Sequence, residues 1–137
     1  MNVTIRRIEY YYATTKDMPG EGYRLLARLA EAGVSLQAFN SVPMGPAHTR
    51  FVLFPDDVDV LKRFAEETGV ELLGPQFAFL VQGEDAPGIL VELHRRVSQA
   101  DINVFASVGV TDGKGGFGYI MYVRPERYEE AAQILGV

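Results

Sequence analysis

Two four-residue stretches, Asp17-Met18-Pro19-Gly20 and Asp85-Ala86-Pro87-Gly88, stand 68 positions apart, each between a β-rich run and an amphipathic one. Proline and glycine turn the chain there, and the segment that follows would open a helix whose first backbone N–H groups lack intrahelical partners. That partly positive end suits a carboxylate, and glycine lets a ligand come close to the backbone. The aspartate suits an ammonium group, so the loop could read a zwitterion. The alternative is that the aspartate caps the helix and Pro-Gly serves only the turn.

Little else in the sequence could do chemistry. The absence of cysteine removes thiolate, disulfide and zinc-cysteine chemistry, and His48 and His94 are isolated, so no metal or cofactor is expected. His48 has no Ser, Cys or Asp at a spacing that would make a triad, and His94, among Glu92, Arg95 and Arg96, is expected to face solvent. Asp112-Gly113-Lys114-Gly115-Gly116 lacks the glycine spacing of a P-loop and reads as a hairpin turn. Glu9-Tyr10-Tyr11-Tyr12 could line an aromatic pocket, but tyrosines on a central strand read better as packing. Gly116 to Tyr122 is similar to the aromatic third strand of an RNA-recognition motif, with Phe117 and Tyr119 on one sheet face where bases could stack. Against it stand a basic residue one place out of position at Lys114 and a net charge of −5, since phosphates need basic neighbours. An acylphosphatase-like enzyme would need a phosphate loop with its arginine after the first strand. None is found, and no catalytic residue is assigned.

The elements that position these loops come from an internal repeat. The 68-residue register lays Leu25 on Leu93, Arg28 on Arg96, Val34-Ser35 on Ile102-Asn103, and Phe51 to Phe54 on Tyr119 to Tyr122. Each copy reads as a strand (Arg7 to Thr15; Gln76 to Gly83), the loop, and a helix with an apolar stripe: Leu25, Leu26, Leu29 and Ala32, or Ile89, Leu93, Val97 and Ala100. A hairpin follows (Val34 to Val42 with His48 to Phe54; Ile102 to Thr111 with Gly116 to Val123), then a second helix (Asp56 to Thr68; Pro125 to Leu135). Val70 to Leu73 adds a last strand, giving the ferredoxin-like order β-α-β-β-α-β. The expected fold is α+β: two such units, at 1–74 and 75–137, with antiparallel sheets and helices on one face. The second unit has no last strand of its own, and the register offers residues 2–5 to complete it. At 137 residues, 47% apolar and 23% charged, the chain fits one globular domain or two very small ones. No run approaches the roughly 20 apolar residues of a membrane span, and the N-terminus lacks a hydrophobic signal segment, so a cytoplasmic protein without a membrane partner is expected.

A β-α-β-β-α-β unit whose first strand ends in Asp-x-Pro-Gly resembles an ACT domain, the amino-acid-sensing module of many metabolic enzymes. The second unit carries Glu84-Asp85-Ala86-Pro87-Gly88-Ile89-Leu90, Ala100-Asp101-Ile102-Asn103-Val104 and Gly116-Phe117-Gly118-Tyr119-Ile120 where that family places such residues. The first keeps Asp17, Pro19 and Gly20, with Glu21-Gly22 in place of an apolar pair and Ser35 in place of asparagine. The likeness runs over nearly the whole chain and implies a stand-alone tandem ACT protein. It also implies an amino-acid ligand held between units, with the loop of one facing the second strand of another. Carried over, the ligand-binding candidates are Asp85, Ala86, Pro87, Gly88, Ile89, Asn103, Val104 and Phe105. In the first unit they are Asp17, Met18, Pro19, Gly20, Asn40 and Ser41.

The expected function is non-catalytic regulation: a small amino acid or related metabolite binds at unit interfaces and shifts association with itself or with an enzyme or regulator. Exposed sheet edges favour a homodimer. The alternatives are an interaction module with a vestigial ligand site and an RNA binder working through Phe117 and Tyr119.

Overall fold

The computed structural model describes residues 2–137. Its elements run β1 (Val3–Lys16), α1 (Glu21–Glu31), β2 (Leu36–Met44), β3 (His48–Pro55), α2 (Val58–Thr68), β4 (Leu73–Glu84), α3 (Val91–Gln99), β5 (Val104–Thr111), β6 (Gly116–Val123), a 3-10 turn (Pro125–Arg127) and α4 (Tyr128–Leu135). The chain divides into two compact units: a first of Glu9–Gln76, and a second of Phe77–Val137 with the N-terminal segment through Ile8. The division falls inside β1 and β4. Where the sequence suggests separate short strands at 3–5 and 7–15, and at 70–73 and 76–83, the chain runs on as β1 and β4, while Val70 and Leu72 lie outside any strand.

Within the first unit the strands lie in the order β2-β3-β1-β4, and within the second β1-β4-β6-β5. Each order is the ferredoxin-like one, with β1 and β4 exchanging the roles of first and last strand. They run antiparallel, since a Cβ on Gly83 would lie 2.6 Å from the Asn2 carbonyl and one on Gly74 would lie 2.9 Å from that of Tyr10.

Alternation on the strands and periodicity on the helices bring a buried cluster together between sheet and helices in each unit. Tyr11, Ala13, Phe51 and Leu53 face Leu25 and Leu29 of α1 and Leu61 and Phe64 of α2. In the second unit Phe79, Val81, Tyr119 and Met121 face Leu93 and Val97 of α3 and the buried side of α4, with Val3 and Ile5 packed against the same cluster. The α1 stripe is narrower than its spacing suggests, because Leu26 is 40% exposed and Ala32 lies at the exposed helix end. Asp57 caps α2 by accepting from the Asp59 N–H at 3.0 Å. The tyrosine run packs: Tyr10 and Tyr11 are buried, the Tyr10 ring meets those of Tyr12 and Phe54, and the Tyr11 hydroxyl donates to Glu9 at 2.9 Å. No helix is long and apolar enough to cross a membrane among the described residues.

Candidate functional site

The loop after the first strand is anchored alike in both units. The Asp17 N–H donates to the Ala47 carbonyl at 2.9 Å, and the Asp85 N–H to that of Gly115 at 2.8 Å, so each loop is pinned to the hairpin turn of its own unit. Gly20 and Gly88 sit at φ +91° and +75°, where a side chain would be strained. Neither aspartate is a cap. Gly20 occupies that position on α1 and Leu90 on α3, and neither helix has a side-chain cap. The capping alternative is thereby overturned.

The two carboxylates differ in their partners. Asp17 Oδ1 accepts from the Thr49 hydroxyl at 3.3 Å. The residue matching Thr49 in the second unit is Phe117, which has nothing to donate, and the exposed Asp85 carboxylate makes no hydrogen bond or ion pair among the described residues. Ahead of α1 the Glu21 N–H donates to Met18 at 3.3 Å; ahead of α3 one extra turn intervenes, with the Ile89 N–H on Ala86 and the Val91 N–H on Gly88. Met18 is 57% exposed, and Ala86 and Pro87 are exposed as well.

The strand candidates lie elsewhere. Asn103 precedes β5, Val104 packs toward the core, and Phe105 is half exposed against Tyr122. The Asp85 loop sits by the hairpin turn at the far end of β5, seven residue steps from Val104, or about 23 Å of extended strand. One unit therefore does not bring its loop and Asn103 together. In the first unit Asn40 and Ser41 pair with Val52 and Phe51 in mid-strand, and Asn40 Oδ1 is buried without a hydrogen-bond partner.

Two cavities lie within single units. One of about 780 Å³ in the first unit is bounded by Lys16, Tyr23, Arg24, Arg28 and Glu71 and includes none of the nominated residues. The other, about 420 Å³ in the second unit, lies under the C-terminal half of α3 and is lined by His94, Val97, Ser98, Asp101, Ile102, Asn103, Val104 and Ser107. It holds two nominees, Asn103 and Val104, and four polar residues the sequence reading did not nominate. His94 is not turned to solvent as expected: its Nε2 lies 2.7 Å from the Tyr119 hydroxyl, because α3 crosses directly above that residue of β6. The exchange of Leu26 for His94, Phe39 for Ser107 and Phe51 for Tyr119 in the 68-residue register was the signal that could have found it.

The third-strand aromatics do not form a base-stacking platform. Tyr119 is buried and Phe117 packs against the second unit's core, both on the face covered by α3 and α4. Asp112 closes a plain hairpin turn; the backbone N–H groups of Gly116 and Lys114 hydrogen-bond its carboxylate and hold its pKa below the ordinary value. No cluster of three or more metal-ligating side chains occurs among the described residues.

Solved structures share this arrangement. A Bacteroides thetaiotaomicron protein superposes with a TM-score of 0.79 at 10% identity, over 99% of this chain and 90% of its own. The regulatory subunit of aspartate kinase from Thermus thermophilus does so at 0.61 and 15%, over 99% and 95%, and that from Thermus flavus at 0.57 and 14%, over 99% and 95%. The chain has an ACT-like fold. At these identities the likeness is one of fold. No protein-family model matches the sequence, and no curated protein matches it. Of the two units, the second presents the loop whose carboxylate is unengaged among the described residues and the strand whose helix-facing side opens on a polar cavity.

Proposed function

We propose that this chain is a non-catalytic regulatory protein that binds a small amino acid at the Asp85–Gly88 loop and transmits binding through association. The observation that carries the reading is the unengaged Asp85 carboxylate beside a helix start with no side-chain cap. The carboxylate takes the ligand's ammonium, and N–H groups of the loop and first helical turn other than those of Asp85, Ile89 and Val91 take its carboxylate. The rest of the pocket comes from a second copy. β5 is an edge strand with β6 as its one neighbour, and it exposes Phe105, Val108 and Val110. Two-fold antiparallel pairing of β5 with its counterpart sets the start of one strand beside the end of the other. The loop of one copy then faces Asn103 of the partner subunit, which one unit alone does not achieve. Ligand binding stabilises the paired state, and that state acts on the protein itself or on an enzyme or regulator bound to it. The fold shared with aspartate kinase regulatory subunits supports the regulatory side of this reading.

The test is a thermal-shift and light-scattering screen of the proteinogenic amino acids. A binder present at a hundred times its Kd raises stability by about 2.7 kcal/mol and increases the mass, and Asp85→Ala abolishes both effects. A wild-type protein that responds to no amino acid, or a response that survives Asp85→Ala, refutes the proposal.

A further inference from the structure

The position of the cavity under α3 carries different side chains in the first unit, although both hairpins are built alike. Both hairpins carry a bulge at equivalent places, Leu36/Ala38 and Val104/Ala106, and Phe39 opposite Leu53 corresponds to Ser107 opposite Met121. In the first unit that position is filled: the Phe39 and Phe51 rings stack at 5.6 Å. In the second, Ser107 and Gly109 leave the helix-facing side of β5 nearly bare, and a Cβ at Gly109 would come within 3.2 Å of the Tyr119 ring. The polar residues that line the space that remains are His94, Ser98, Asp101, Asn103 and Ser107.

These groups donate and accept hydrogen bonds but present no fixed positive charge. Arg127, the nearby cation, is engaged with the backbone carbonyls of Ala100 and Asp101 and with Glu130. An acidic group would find the Arg127 charge already shared between Asp101 and Glu130, and an apolar one would leave polar groups unpaired. We infer that this slot, at the Asn103 end of β5, receives the side chain of the bound amino acid, and that this side chain carries a hydroxyl, amide or amine. The inference rests on the function proposed above, because it is the partner's loop that would hold the ligand's ammonium and carboxylate at this end of the strand.

Titration calorimetry with glycine and with amino acids of each side-chain class, on wild type, Asp85→Ala, Ser107→Ala and Ser107→Phe, tests it. The tightest ligand has a hydroxyl, amide or amine; Ser107→Phe, which imports the first unit's residue, weakens that ligand by about tenfold or more while glycine changes by less than about threefold. Ser107→Ala, which removes only a hydroxyl, weakens it by about three- to tenfold and guards against misfolding of the larger variant. Because the chain has only His48 and His94, imidazole NMR signals give a second reading: those of His94 shift at saturation and those of His48 do not. A preference for acidic, aliphatic or aromatic ligands, an unchanged ranking in both Ser107 variants, or unmoved His94 signals overturns the inference. If such a ligand is still lost on Asp85→Ala, the proposed function stands without the slot. A wild type that binds no amino acid overturns both.

Discussion

The same place in the two units is built from opposite materials. In the first, Phe39 stacks on Phe51 beneath α1; in the second, Ser107 and Gly109 leave Tyr119 to hydrogen-bond His94 beneath α3. The loops differ in the same sense, Asp17 being held by Thr49 while Asp85 has no partner among the described residues. One repeat spends these positions on packing, and the other keeps them polar and open.

The largest effects should separate the two cores. Deleting residues 2–5 removes Val3 and Ile5 from the second unit's cluster and uncovers β4 at Gly83; two such partly buried side chains contribute about 3 kcal/mol. Hydrogen exchange should speed up in β4, β6 and α4 far more than in β3 and α2. Equal loss in both units, or none, would break the comparison.

Alkaline unfolding should touch both units, through Tyr11 in the first and Tyr128 in the second. Burial, aided by the hydrogen bond and charge of Glu9, raises Tyr11 to about 12, and burial raises Tyr128 to about 12, with its hydroxyl donating to the Ala78 carbonyl at 2.8 Å. The unfolded tyrosines lose their protons near pH 10 while the native ones keep theirs, so the unfolded state binds fewer protons between these values. Stability is fully present below pH 10 and falls as pH rises toward 12, by about 1 kcal/mol per tyrosine once solvent screening is allowed for. Denaturant titrations across that range should show the fall, and Tyr11→Phe or Tyr128→Phe should flatten it.

Smaller changes sharpen the contrast at the divergent position. Phe39→Ser empties the first unit's stack and should cost about 1 to 2 kcal/mol, since the ring is part-exposed but paired. Tyr119→Phe removes the His94 partner and should cost about 1 kcal/mol in urea unfolding. If Phe39→Ser proves the milder of the two, the first unit's aromatic filling is not a packing device.

Much of the fold was legible because the signals were local and occurred twice. Leu25 with Leu29 and Leu93 with Val97 mark the inner faces of α1 and α3, and Pro-Gly marks where each helix is approached. Leu26 was misjudged because helical spacing places a residue near a stripe without saying where the sheet beneath it ends. The loop candidates stood out by residue type, whereas His94 and Ser107 did not, since each is unremarkable on its own strand or helix.

By itself the sequence determined the repeat, the order of elements, the two loops with their glycines, and which residues have apolar faces to bury, all of which follow from neighbours within a few turns of chain. Only the tertiary structure decided that β1 and β4 each run unbroken through two units, that Asp85 lacks the partner Asp17 has, and that His94 meets Tyr119 across 25 residues. Those outcomes depend on which helix lies over which strand and at what register. That placement is set by packing between distant segments, on which local spacing has no hold.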